Sequence, residues 1–156
     1  MDVWVFAAVC EPNREHDAAY ELLSVAVKQI FGLDELPSVG RMEKGKPFFP
    51  DHPEICFNIS HSHGAVVCAL HDRPVGVDIE KLRPAPKRLA NGMDDYSFFL
   101  QWTVREATIK MQGRGVGALR QALQPGKFCC TNEELMPGWI LAVCPSEESD
   151  ICFRRM

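Results

Sequence analysis

Val75-Gly76-Val77-Asp78-Ile79-Glu80 alternates apolar and acidic positions over the length of one strand. A side-chain period of two sends Val77 and Ile79 to one face and Asp78 and Glu80 to the other. The apolar face calls for a core beneath it, and Gly76 marks a place where another backbone or a ligand comes close. On the acidic face two hard oxygen donors stand side by side. Like charges so placed are costly unless a cation neutralises them, and Mg2+ sites are commonly built this way, with phosphate oxygens and water completing the shell. Taken alone the hexapeptide also fits a solvated strand face, with Asp78 and Glu80 pairing to Lys81 or Arg83, and that is the commoner case.

Working outward, residues 55–59 and 65–71 precede it as β-branched and aromatic runs, and residues 4–9 form an earlier one. Asp72-Arg73-Pro74 is a tight connection, which predicts that 65–71 and 75–80 form a hairpin. From His16, the residues Ala19, Leu22, Leu23, Ala26, Val27, Ile30 and Phe31 recur at helical spacing, and Gly32 suits a helix C-terminus. Residues 33–55 are rich in Pro, Gly and charge and predict loops with short edge strands. A basic, proline-containing connector over 84–91 leads to a second helix over 95–111, ended by Gly113 and Gly115. Three short strands, 127–131, 139–144 and 150–154, close the chain.

Each half is therefore a helix on a few strands, an α+β pattern with no sequence repeat between the halves. With 156 residues, 46% of them hydrophobic, one domain over 1–156 is expected, with lobes at about 1–71 and 72–156 sharing a core. The net charge of -4, without a Lys/Arg run, gives no footprint for nucleic acid. No apolar stretch reaches the length of a membrane span, and the first apolar run follows Asp2 rather than a basic segment, so a cytoplasmic protein is expected. The seven cysteines sit mostly in apolar runs, as free thiols in a reducing compartment do, and no Cys-x-x-Cys pair offers zinc spacing.

Two further segments hold chemistry. In the second helix Trp102, Glu106 and Lys110 stand four apart on one stripe, so a third metal ligand or base and a phosphate-neutralising cation can share a face. An ordinary Glu-to-Lys helix pair has the same spacing. In Phe57-Asn58-Ile59-Ser60-His61-Ser62-His63-Gly64, the hydroxyls, the backbone N–H groups and a protonated His61 can face an anion; strand-end turn chemistry is the plainer reading.

The order Gly45-Lys46-Pro47, Phe57 to Ser62, Val75 to Glu80, then Trp102-x-x-Arg105-Glu106-Ala107-x-x-Lys110 resembles the surfactin-synthetase-activating type of 4'-phosphopantetheinyl transferase. The resemblance is closest from Glu43 to Lys110 and extends, more weakly, to the first helix and to the strand at Trp139. It implies two small pseudo-symmetric α+β lobes in one monomeric chain. It also implies an enzyme of the holo-[acyl-carrier-protein] synthase type, which moves the phosphopantetheine arm of coenzyme A onto a serine of an acyl or peptidyl carrier protein and releases adenosine 3',5'-bisphosphate. By position, Asp78, Glu80 and Glu106 match Mg2+ ligands, with Glu106 also the base for the serine and Lys110 the cation on the pyrophosphate. Ser60 and His61 match phosphate contacts, and Lys46 and Pro47 the segment beside the adenine.

Three features depart from that pattern. Arg105 stands where lysine is usual, the 81–101 stretch is short, and the first helix lacks an arginine cluster, leaving Arg14, Lys28 and Arg41 as stand-ins. Two other readings compete: a metal-dependent hydrolase using His61, His63 and Asp78, and a catalytically degenerate relative that only binds carrier proteins.

Overall fold

The computed structural model describes residues 1–115, 117–118 and 124–156. Its elements in chain order are β1 (Val3–Val9), α1 (Glu15–Phe31), β2 (Gly40–Arg41), β3 (Pro47–Phe48), β4 (Cys56–Ser62), β5 (Ala65–His71), β6 (Val75–Lys81), α2 (Lys87–Ala90), α3 (Asp95–Gln112), β7 (Cys130–Asn132), β8 (Trp139–Pro145) and β9 (Ile151–Arg155). The α+β class expected from sequence is what the chain adopts. Two sheets, ordered β4-β5-β1-β9 and β6-β8-β7, carry the fold, and β2-β3 is a small ribbon beside them.

Alternation along each strand decides the layering. Val3, Val5 and Ala7 of β1 and Ala65, Val67 and Ala69 of β5 meet Val75, Val77 and Ile79 of β6 and Leu141 and Val143 of β8 in one core between the sheets. The opposite faces, Phe6 of β1 and Val66, Cys68 and Leu70 of β5, pack under Ala19, Leu22, Leu23, Ala26 and Val27 of α1. That stripe is the one read from the 3.6-residue period, and Gly32 closes the helix at a φ of 71°. On the outer face of the second sheet, Ala107 of α3 lies on Ala142 and Cys144 of β8. Helix α3 starts at Asp94, whose carboxylate accepts from the Ser97 amide at 2.9 Å, and ends at Gly113 with a φ of 65°.

The expected β5–β6 hairpin does not form. Both edges of β5 are taken, one by β4 and one by β1, so the chain leaves the sheet at 72–74 and β6 pairs with β8 instead. The hairpin is β4–β5, turned at His63 and Gly64, both in the left-handed region at φ 48° and 82°. The last strand also crosses the expected lobe boundary: β9 runs parallel to β1, on the edge that β5 leaves open, and so joins the first sheet. Residues 87–90 of the basic connector coil into one helical turn, α2. No helix among the described residues is long and apolar enough to cross a membrane.

Among the described residues one edge of β6 has no strand neighbour, and β4 covers it with side chains. Its alternate residues Asn58, Ser60 and Ser62 face β6. Asn58 Oδ1 accepts from the Val77 amide at 2.9 Å, and Ser62 Oγ accepts from the Lys81 amide at 3.2 Å. An exposed strand edge is thereby converted into a polar seam between the sheets.

Candidate active site

The seam opens into a cavity of about 540 Å³ between β4, β6, α1, α3 and the β2–β3 ribbon. Lys46, Pro47, Ser60, His61, Asp78, Glu80, Glu106 and Lys110, named from sequence, all line it, and Trp102 joins them on the α3 stripe. Strand β6 delivers its acids here because Val77 and Ile79 are committed to the core on the other face. Helix α3 can reach them because Gly76 has no side chain. A Cβ there would stand 1.9 Å from the Ala107 carbonyl oxygen and 2.5 Å from the Met111 nitrogen.

Lys110 is the centre of the polar network. Its ammonium donates to Asp78 Oδ1 at 2.6 Å, to Ser60 Oγ at 3.0 Å and to the Val77 carbonyl at 3.3 Å. Ser60 in turn donates to Asp78 Oδ1 at 2.8 Å. Burial pushes the Asp78 carboxyl above its ordinary range, and Lys110 opposes that shift. Glu106 is raised for the same first reason, burial, and then by the negative charge of Asp78. Glu80 turns to the seam's outer end, where Oε2 accepts from Arg83 at 2.9 Å and Ser62 at 3.2 Å. The lone-hexapeptide reading, in which Glu80 pairs with Arg83, is thus present beside the site reading.

Among the described residues, no group of three or more His, Cys, Asp or Glu stands close enough to enclose a metal ion as the side chains lie. The donor set nevertheless suits a hard cation. Asp78 Oδ2 is buried and has no hydrogen-bond partner among the described residues, and two neighbouring acids resist ionising together. A cation beside Asp78 would satisfy the orphaned oxygen and relieve the repulsion.

Several sequence readings are redrawn. Asn58, Ser60 and Ser62 are each engaged with β6, through the Val77 amide, Asp78 and Glu80, while Asn58 and Ser60 also stand in the cavity wall; Gly64 donates its amide to Glu15 at 3.2 Å. His63 sits in the turn with Nδ1 3.0 Å from Ser62 Oγ and does not line the cavity, so the His61/His63/Asp78 hydrolase constellation is not assembled. Of the cationic stand-ins only Arg41 reaches the cavity; Arg14 pairs with Glu21 at 3.0 Å and Lys28 with Asp34 at 3.0 Å. The sequence reading missed His16, Tyr20 and Lys44 in the wall. His16 and Tyr20 are one helical turn apart, edge to face with centroids 5.2 Å apart, at the margin of the α1 apolar stripe, where an aromatic pair four residues apart was the available signal.

No protein-family model matches the chain. Among curated proteins, a 4'-phosphopantetheinyl transferase of Bacillus subtilis is 35% identical over 112 residues, which cover 61% of this chain and 50% of that one. The transferase Sfp of Bacillus subtilis strain 168 is 37% identical over 90 residues, 47% of this chain and 40% of its own. The AcpT transferase of Salmonella typhi is 32% identical over 100 residues, 52% of each chain. This chain is similar to the Sfp-type 4'-phosphopantetheinyl transferases. It spans about half the length of the curated transferases it matches.

Proposed function

We propose that the chain transfers the 4'-phosphopantetheine group of coenzyme A to a serine of an acyl or peptidyl carrier protein, with Mg2+, as a holo-[acyl-carrier-protein] synthase type enzyme. Residues 1–156 would act as one monomeric domain in the cytoplasm. The observation that carries this reading is the convergence of Asp78, Glu80, Glu106, Lys110, Ser60 and His61, drawn from three separate elements, on one cavity. Similarity to curated transferases supports it.

In the reaction the serine Oγ attacks the β-phosphorus. The new Oγ–P bond forms as the bridging P–O bond breaks, the hydroxyl proton is removed, and adenosine 3',5'-bisphosphate leaves. Glu106 serves as proton acceptor, directly or through a water, and burial beside Asp78 makes its carboxylate more basic than an exposed one. Lys110 is fixed by three acceptors around β6, so its charge is already oriented before a pyrophosphate arrives. His61 and Arg41 stand in the wall for the remaining phosphate. Asp78, Glu80 and Glu106 would hold Mg2+, which supplies charge neutralisation on the pyrophosphate; Glu80 would exchange Arg83 for it.

The test is to incubate the protein with Mg2+, coenzyme A and a panel of acyl and peptidyl carrier proteins and to weigh the carriers. At least one should gain the phosphopantetheine mass. A panel with no gain on any carrier overturns the proposal.

A further inference from the structure

Lys46 lies on the β2–β3 ribbon, far in sequence from α3, yet its side chain ends there. The ammonium donates to the Met111 carbonyl at 3.3 Å and to the Val75 carbonyl at 3.3 Å. Met111 is in the last turn of α3, where carbonyls have no intrahelical partner and the helix dipole is negative. Gly113 and Arg114 return their amides to Ile109 and Lys110, which leaves Met111 to be satisfied from outside. The Lys46 stem approaches Gly113, and Lys44 packs at Gly115, so the ribbon lies along the end of the helix. The turn that presents Lys46 is itself closed: Met42 donates to the Lys46 carbonyl at 2.9 Å, Gly45 to the Met42 carbonyl at 2.8 Å, and Arg41 to the Gly45 carbonyl at 3.0 Å.

We infer that Lys46 is a positioning residue: it caps the C-terminal turn of α3 and ties that turn to the first residue of β6, rather than binding the ligand's phosphates. The tie joins the two elements whose alignment sets the 2.6 Å contact between Lys110 and Asp78. Val75 precedes by one residue the glycine that admits the α3 backbone, so the close approach at Gly76 and the bridge from Lys46 act at the same place. Burial lowers the Lys46 pKa, as expected for an ammonium committed to backbone carbonyls. The inference rests on the transferase reading for its kinetic consequence, but not for its structural one.

The experiment compares Lys46→Met with the unaltered chain by amide hydrogen exchange, by transfer kinetics and by coenzyme A binding in calorimetry. Exchange over 109–113 should accelerate at least tenfold while α1 is unchanged. The maximal transfer rate should fall about tenfold, with the dissociation constant for coenzyme A within threefold of its original value. Unchanged exchange over 109–113, a tenfold weaker affinity for coenzyme A, or an unchanged transfer rate each overturns the inference. If Lys46→Met does not fold, Lys46→Arg takes its place: the cation is kept, but a planar fork replaces a point ammonium, so exchange at the helix end should still rise at least threefold, and no rise overturns the inference. An unaltered chain that transfers to no carrier refutes the transferase reading alone, since hydrogen exchange still decides the cap.

Discussion

Gly76→Ala places one methyl group between β6 and α3, where the geometry leaves no room. The added Cβ would meet the Ala107 carbonyl oxygen at 1.9 Å, whereas ordinary contact begins near 3.4 Å, so one backbone must recede by about 1.5 Å. Both atoms in the way, the Ala107 oxygen and the Met111 nitrogen, belong to the helix backbone and cannot rotate aside. Overpacking typically costs about 1–3 kcal/mol, and rigid neighbours put this site at the upper end. For a chain of this size, about 3 kcal/mol corresponds to a Tm lowered by roughly 6–12 °C. A helix displaced that far stretches the 2.6 Å contact of Lys110 with Asp78 beyond ion-pair range, and misplacement on the order of 1 Å can cost about 10²-fold in rate. The control is Gly117→Ala, where a Cβ meets nothing within 4 Å among the described residues. Thermal unfolding followed by circular dichroism and the carrier-mass assay would be run on both. A Gly76→Ala protein melting within a degree of the control, or transferring at its rate, refutes the reasoning.

Glu106→Gln should abolish transfer by at least about 10²-fold and raise the Tm at pH 7.5 in metal-free buffer. The sign follows from the upward shift of the Glu106 carboxyl by burial and Asp78: its contribution to stability is complete below the unfolded pKa and is lost as pH rises through the folded one. The advantage of the neutral Gln should therefore shrink as pH falls toward about 4.3, the unfolded value; a variant no more stable than the unaltered chain at pH 7.5 contradicts it. His63→Ala, outside the cavity, should leave carrier modification within twofold, and a tenfold loss would return the histidine pair to the chemistry.

The sequence made some of this legible for definite reasons. Period-two alternation at Val77, Asp78, Ile79 and Glu80 and the α1 stripe from Ala19 to Val27 are local patterns that burial alone enforces, and both are found as read. What the sequence did not show is which strand edge each segment would fill. Asp72-Arg73-Pro74 has the composition of a hairpin turn, but pairing depends on the occupancy of β5 by β4 and β1, a long-range fact. Lys46 likewise read as part of a binding segment, since nothing in Gly45-Lys46-Pro47 says that its ammonium ends on carbonyls 29 and 65 residues away. His16 and Tyr20 escaped notice because their role depends on which way the exposed side of α1 turns.

The place of the acids in the fold follows from the same economy of edges. A strand such as β6, paired among the described residues with β8 alone, has backbone amides that need acceptors, and the polar face of β4 supplies them through Asn58 and Ser62. Once polar groups line that seam, a carboxylate on the adjoining face of β6 meets hydroxyls and an ammonium instead of hydrocarbon. Asp78 therefore stays buried while half satisfied, with Oδ1 bound to Ser60 and Lys110 and Oδ2 without a partner among the described residues. A fold optimised for stability alone would fill that last position with a donor or replace the acid by an apolar residue. The open acceptor, beside a second raised acid on α3, is the feature that fits a cation and its phosphates better than it fits the resting protein.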